Sequence, residues 1–247
     1  MRKKSLPGLI GCMLLLYSVA SGQSLQKITV KGGVMMQGEK EISVSSFSIT
    51  KYEINNQQYA SFLNAEEIGM DGMCNGMELV NVISADLQLE FMPGKWRPKQ
   101  GKENYPMVMV SYYGAEEYAK WMKGRLPSET EWYYAAKGGI ASKNYSYAGG
   151  NELEEVGWYK GNSGQHSHAV GEKKANELGI FDMSGNAWEW CRNDTLKTAS
   201  DFCVHMGGSW FAGEQPSRLS AHYGNTPTHF SNSVGFRVIF TNSKKKK

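Results

Sequence analysis

The segment Asp182-Met-Ser-Gly-Asn-Ala-Trp-Glu-Trp190 combines oxygen-bearing side chains with residues that form tight turns. Within it, Asn186 and Glu189 lie three positions apart, so one turn can direct both side chains and nearby backbone carbonyls at a single ion. Ca²⁺ prefers about six to eight oxygen ligands from carboxylates, amides and the backbone. The segment therefore has the oxygen donors and turn residues that a site for a hard cation such as Ca²⁺ requires. In the alternative interpretation, Asn186 is a turn residue and Glu189 pairs with an arginine.

Sulfur and imidazole ligands are the other candidates for metal or redox chemistry. Cys191 and Cys203 are 12 positions apart and could form a disulfide, which would leave Cys74 free. Alternatively all three are reduced and buried, because a free cysteine packs like a small apolar residue. No Cys-x-x-Cys pair occurs, which argues against a zinc ribbon or a thioredoxin-like site.

The five histidines form one short pair, His166-x-His168, which a strand would place on a single face as a chelate requires. Loop histidines are much commoner than ligands, and no carboxylate motif completes a facial triad. A histidine-based iron or copper site is therefore not expected. The remaining histidines are His205, His222 and His229.

Three helices and a set of short strands must position these groups. Alternating apolar residues over 27–54 predict strands. Asn55, Ser111 and Ser128 are each predicted as a helix N-cap, and Ser128 with Glu131 forms a capping-box pattern. Residues 65–105 are polar and glycine-rich, residues after 140 are mostly turns and short strands, and 236–240 predict a final strand. The pattern indicates one α+β domain with little regular secondary structure.

The chain ends carry signals of their own. Arg2-Lys3-Lys4 precedes an apolar run over 9–19, which is shorter than the ~20 residues that span a bilayer. Small residues before Gln23 complete the pattern of a cleaved secretory signal, so we expect a signal peptide over 1–22, a domain over 23–243 and a lysine tail over 244–247. The less favoured alternative is a lipid anchor on Cys12. Either way the mature chain is expected to be exported, to the periplasm, the cell surface or the medium, without a transmembrane helix.

Charge and composition exclude some classes of partner. The 27 Lys and Arg stand against 24 Asp and Glu, and three of the bases belong to the signal and four to the tail. The remaining domain is mildly acidic, so it lacks the basic field of a nucleic-acid-binding protein.

Four segments together resemble the formylglycine-generating-enzyme (FGE) sulfatase family. They are residues 47–62, residues 106–139 with Arg125-Leu-Pro-Ser-Glu-Thr-Glu-Trp132, residues 176–191, and Gly207-Gly-Ser-Trp210 followed by Gly235-Phe-Arg-Val238. Their order and spacing match the family pattern over nearly all of the domain. The resemblance implies a single α+β domain, the FGE-sulfatase fold, which is related to C-type-lectin-like architecture and usually binds calcium. Because relatives carry a calcium site in the segment that matches 182–190, the resemblance also implies that Asn186 and Glu189 are calcium ligands.

The resemblance also implies an activity that this chain lacks the residues to perform. Active relatives oxidise a cysteine of a client sulfatase to formylglycine, using O₂ and a copper ion held by two cysteines shortly after the Gly-Gly-Ser motif. In this chain those positions are Ala212 and Ser217, and neither side chain can hold Cu(I), so copper is not expected. Ser209 and Trp190 match residues that line the relatives' active cleft.

Two classes of function follow from the resemblance. The favoured one is a non-oxidising pseudoenzyme that binds a peptide, a glycan or a protein of a bacterial surface machine in a calcium-stabilised, lectin-like fold. The alternative is a formylglycine-generating or other metal-dependent oxidoreductase of this family.

Overall fold

The two ends of the domain meet in one three-stranded sheet. The structure is a computed structural model and describes residues 25–37, 39–192 and 201–241. Strand β4 (Phe47–Thr50) lies in the centre, with β1 (Lys27–Val30) on one side and the last strand, β13 (Ile239–Phe240), on the other. Both neighbours run antiparallel to β4 and place Ile28 and Ile239 opposite the buried Ile49. The sequence-predicted strand over 236–240 is thus shorter than expected, because only its last two residues pair.

The three predicted helices form at their predicted caps. Helix α1 (Asn56–Ala65) begins after Asn55, whose side chain accepts from the amide of Gln58. Helix α2 (Tyr112–Trp121) begins after Ser111. Helix α3 (Glu129–Ala136) begins after Ser128, and the Glu131 carboxylate accepts from the Ser128 amide to complete a capping box.

A second sheet, of four strands, separates two hydrophobic cores. Its order is β11 (His222–Asn225), β10 (Cys203–Met206), β9 (Trp188–Trp190) and β12 (Val234–Gly235). Trp190 and Cys203 pack into a core with α1 and α2, whereas Cys191 and Met206 pack into a core with α3 and the first sheet. Since side chains alternate between the faces of a sheet, each face supplies one core.

The register of this sheet decides the open question about the cysteines. Trp190 lies opposite His205, and the amide of Cys191 donates to Val204, so Cys191 and Cys203 face opposite sides. Within the described residues, Cys74, Cys191 and Cys203 form no disulfide with one another. A 191–203 disulfide is therefore incompatible with this fold.

The remaining elements are short, and residues 157–187 contain neither helix nor strand. Within the described ranges, every helix is too short or too polar to cross a lipid bilayer. The predicted signal over 1–22, Cys12 and the lysine tail lie outside the residues that the structure describes. The other elements are β2 (Gly33–Gln37), β3 (Lys40–Val44), β5 (Met73–Cys74), β6 (Met77–Glu78), β7 (Leu89–Phe91), β8 (Trp96–Pro98), α4 (Leu153–Val156), and the 3₁₀ turns Gly139–Ala141 and Gln215–Ser217.

Candidate functional site

The loop after β10 carries the Gly-Gly-Ser-Trp motif, followed by Ala212 and Ser217 at the positions of the relatives' copper-binding cysteines. Gly207 and Gly208 both have positive φ, of 101° and 78°. A Cβ on Gly208 would also lie 2.7 Å from the Cα of Ser217, so only glycine fits there. This close approach folds the 212–217 segment back against the motif.

Neither position behind the motif presents a metal ligand. Ala212 packs against the core that contains α1 and α2. Ser217 is fully buried, and its hydroxyl donates to the carbonyl oxygen of Gly213 at 2.9 Å. The thiols of Cys191 and Cys203 are buried in separate cores, and burial raises the pKa of Cys191 well above its usual range.

The structure buries both residues that were expected to line a cleft. Ser209 is almost fully buried, and its carbonyl oxygen accepts from the amide of Ala212. Trp190 is fully buried, and its Nε1–H donates to the carbonyl oxygen of Val110 at 3.2 Å. The accessible space lies instead beside the two residues that follow Ser209, which are Trp210 and Phe211.

That space is a pocket of about 260 Å³ at the surface, formed by two loops. We call it the Trp210–Phe211 pocket. Neither Trp210, the last residue of the Gly-Gly-Ser-Trp motif, nor Phe211 directly after it was predicted from the sequence to bind a ligand. The residues that line it are Lys160, Ser163, Gln165, Trp210 and Phe211.

Glu189, predicted as a calcium ligand, forms a buried ion pair with Arg237. The guanidinium donates from Nε to Oε2 and from Nη2 to Oε1, both at 2.6 Å, and Trp132 Nε1 also donates to Oε2. Both members of the pair are fully buried. The alternative interpretation of Glu189, an arginine pair, is thus the arrangement in the structure.

Asn186, the other predicted ligand, is held by a different carboxylate. Its amide donates to Glu53 Oε2 at 2.6 Å, and its carbonyl oxygen accepts from the amide of His168. Its φ of 59° is also consistent with the turn that the sequence predicts. Glu53 lies 133 positions away in the chain, and this partner was not evident in the sequence.

The buried cluster around Arg237 holds more carboxyl groups than basic groups. Glu53, Asp182 and Glu189 are all buried and face one guanidinium. Burial, with repulsion from the other carboxylates, raises the pKa of Glu53 well above its usual range. Burial likewise raises the pKa of Asp182 to about 7. Asp182 Oδ2 accepts from the amide of Gly171, whereas Oδ1 has no hydrogen-bond partner among the described residues.

The cluster around Arg237 has some, but not all, of the features of a cation site. Asn186 and Glu189 already have partners for their side chains, so they offer a calcium ion only their remaining lone pairs. Asp182 Oδ1 is an oxygen of this cluster that has no partner within the part of the chain that the structure describes, and the excess of buried carboxyl groups over basic groups favours a cation there.

The histidine pair lies close together, but in a loop rather than a strand. The His168 ring stacks on Trp158 with centroids 3.7 Å apart, and the His166 ring lies 4.5 Å from that of His168. His168 Nε2 lies 2.8 Å from the carbonyl oxygen of Ser163, and burial lowers the pKa of His168. Within the described ranges, no group of three or more His, Cys, Asp or Glu residues is placed to hold a metal ion.

Comparison with known proteins places these features in context. The family model "Sulfatase-modifying factor enzyme 1-like domain" (FGE-sulfatase) matches residues 17–242. Chaperone protein LppX of Paenibacillus barcinonensis is 27% identical over 78% of this chain and 81% of its own length. Inactive C-alpha-formylglycine-generating enzyme 2 of Bos taurus is 26% identical over 89% of each protein. Formylglycine-generating enzyme of Thermomonospora curvata is 28% identical over 80% of this chain and 83% of its own length.

Solved structures share the same architecture. The crystal structure of CarF matches with a TM-score of 0.69 and 21% identity, over 87% of this chain and 97% of CarF. Treponema denticola variable protein 1 matches with a TM-score of 0.61 and 18% identity, over 87% of this chain and 94% of its own. At these identities the likeness establishes the fold alone, and it confirms the α+β architecture expected from the sequence.

Proposed function

The chain belongs to the FGE-sulfatase family and has an α+β fold, and from that premise we propose a non-oxidising function. The mature protein is an exported, calcium-stabilised domain that binds a peptide, a glycan or a partner protein. The ligand site is the Trp210–Phe211 pocket, because it is accessible and directly adjoins the family motif.

The observation that supports this proposal is the chemistry at positions 212 and 217. A methyl group packed against the core and a buried hydroxyl bonded to Gly213 replace the two thiolates on which the family's copper chemistry depends. Cu(I) is a soft ion that prefers sulfur, so neither side chain can retain it. Cys191 and Cys203 cannot substitute as a pair, because they lie on opposite faces of the sheet.

Turnover of a client peptide tests the absence of oxidation. The chain from residue 23 onwards is incubated with Cu(I), O₂, a reductant and a peptide containing Cys-x-Pro-x-Arg, with the Thermomonospora curvata enzyme as the positive control. We expect no peptide-dependent O₂ consumption and no formylglycine in the peptide mass spectrum. Formylglycine above the no-enzyme control would refute the proposal and establish the alternative oxidase function. That alternative is supported by the 28% sequence identity to the Thermomonospora curvata enzyme.

Restoring the sulfur pair provides a matched control for that experiment. The double variant Ala212→Cys/Ser217→Cys introduces two thiols at the positions in question. We expect thiolate-to-copper absorption in the variant that the natural chain does not show under the same conditions. If the natural chain gives the same absorption, another thiolate site is present and the non-oxidising function loses its support.

The calcium part of the proposal is tested at Asp182. Calcium would be held by Asp182 Oδ1, supported by Glu189 and Asn186. We expect Ca²⁺ to raise the Tm of the natural chain. A concentration of roughly 1 mM suffices to test this, because it matches the dissociation constants of the weaker protein calcium sites. Asp182→Asn keeps the side-chain shape and tolerates the positive φ of 59°, but it should lose this response. A natural chain whose Tm is indifferent to Ca²⁺ and to chelator would remove calcium from the proposal.

Export is tested independently of the ligand. Residues 1–22 are fused to a reporter that is active only outside the cytoplasm, next to a fusion in which Arg2, Lys3 and Lys4 are replaced by Glu. The natural segment should export the reporter and the acidic variant should not, because a signal needs its positive first region. Equal activity of the two fusions would contradict a secretory signal here.

A further inference from the structure

The walls of the Trp210–Phe211 pocket are joined to each other by hydrogen bonds. The amide of Lys160 donates to the carbonyl oxygen of Ala212 at 2.9 Å, and the Ser163 hydroxyl donates to that of Trp210 at 2.8 Å. The amide of Gln165 in turn donates to the Ser163 hydroxyl. The pocket is therefore largely preformed, which lowers the entropic cost of ordering it around a ligand.

One wall of the pocket is an aromatic surface that faces water. The Phe211 side chain is 65% exposed, and its ring meets that of Trp210 edge-on with centroids 5.5 Å apart. Trp210 Nε1–H already donates to the carbonyl oxygen of Asn232. The pair therefore offers ring faces rather than a hydrogen-bonding group, and the negative face of an aromatic ring attracts weakly positive C–H groups.

The other loop that lines the pocket offers hydrogen-bonding groups. Within the described part of the chain, neither the Lys160 ammonium nor the Gln165 carboxamide makes a side-chain hydrogen bond, so both remain available to a ligand. An ammonium supplies three donors, and a carboxamide supplies both donors and an acceptor. A ligand that fits these walls has a C–H face on one side and hydroxyl groups on the other.

Resting on the proposed function, we infer that the pocket binds a pyranose unit of a glycan. One face of a pyranose ring presents C–H groups to Phe211, while its hydroxyls reach Lys160 and Gln165. The volume of about 260 Å³ lies below the ~300–1,000 Å³ typical of sites for drug-sized ligands, so it suits one ring rather than a chain. An extended peptide is less well served, because the loop over 157–187 has no strand edge with which a peptide backbone could pair.

The experiment screens the chain from residue 23 onwards on a glycan array and titrates the best ligand by calorimetry. Phe211→Ala should weaken that binding by about tenfold, because it removes the stacking surface. Phe211→Trp should retain binding, because it keeps an aromatic face. The matched control is Phe202→Ala, which removes a phenylalanine that is 66% exposed elsewhere on the surface and should leave the affinity unchanged.

Two outcomes would overturn the inference. One is an array on which no glycan binds above background, and the other is glycan binding that Phe211→Ala leaves unchanged. If a defined peptide then binds with the same dependence on Phe211, the non-oxidising function survives and only the saccharide assignment fails. The turnover experiment tests the non-oxidising function by formylglycine formation, which does not depend on glycan binding. Failure of the proposed function can therefore be distinguished from failure of the saccharide assignment.

Discussion

His205 is a buried imidazole whose charge state is coupled to folding. Its side chain is 5% exposed, lies edge-on to Trp188 and Trp190, and has no hydrogen-bond partner for either ring nitrogen among the described residues. Burial, and to a lesser extent His229, lowers its pKa from 6.5 to about 4. Because the folded state disfavours the proton, the contribution of His205 to stability is present above pH 6.5 and is lost as the pH falls through 4.

Substitution of His205 should therefore reduce the sensitivity of the protein to acid. The shift corresponds to about 3 kcal/mol between pH 6.5 and the region below pH 4. In urea unfolding across this range, His205→Leu should lose free energy of unfolding less steeply than the natural chain. His222→Gln, at an exposed histidine of the same sheet, should follow the natural curve. Parallel curves for the natural chain and His205→Leu would show that His205 is not protonated on unfolding.

The chemistry of single residues was only partly predictable from the sequence. The motif over 182–190 indicated oxygen donors, and an arginine partner for Glu189 was among the alternatives. The actual partners, Arg237 for Glu189 and Glu53 for Asn186, lie 48 and 133 positions away. Local spacing cannot reveal such pairs, because they exist only once the sheets have formed.

At the scale of elements, the helix starts were the most predictable feature. Each depends on a short-range signal, a side-chain oxygen that accepts from an amide three residues later, and that signal needs no tertiary context. Whether Cys191 and Cys203 form a disulfide was not predictable, because that depends on tertiary structure. Twelve positions of separation permit a disulfide, but the register of β9 against β10 turns the two side chains to opposite faces.

The cap of α3 makes a measurable contribution to stability. Ser128 Oγ accepts from the amide of Glu131, whose carboxylate is also held by Arg125 at 2.6 and 2.7 Å. Ser128→Ala should reduce the free energy of unfolding by about 1 kcal/mol, because it leaves an amide of the first turn unpaired.

Ser61 provides the control within a helix. Its exposed hydroxyl donates to the carbonyl oxygen of Gln57, one turn back in α1, a bond that does not stabilise a helix. Ser61→Ala should therefore leave the free energy of unfolding within about 0.5 kcal/mol of the natural value. An equal loss in Ser61→Ala and Ser128→Ala, measured by chemical denaturation, would count against a specific role for the cap.

At the scale of the whole molecule, Arg237 connects the first sheet to the second. From its position just before β13, it donates to the carbonyl oxygens of Thr50 at the end of β4 and of Phe181, in addition to Glu189 in β9. Among the described residues, the guanidinium is the basic group that faces the buried carboxyl groups of Glu53, Asp182 and Glu189, and it forms its ion pair with Glu189. Loss of the guanidinium would leave the Glu189 carboxylate buried without its positive partner.

Arg237→Met should therefore cost about 3–5 kcal/mol, a large share of the ~5–15 kcal/mol by which a domain is stable. Most of that cost arises from the carboxylate left unpaired rather than from the value of the ion pair itself. The double variant Arg237→Met/Glu189→Gln removes the stranded charge and should recover part of the loss, which urea unfolding of the four proteins in a double-mutant cycle measures. If the effects of the two single substitutions simply add, the guanidinium and the Glu189 carboxylate are energetically independent, and Arg237 contributes through its backbone contacts alone.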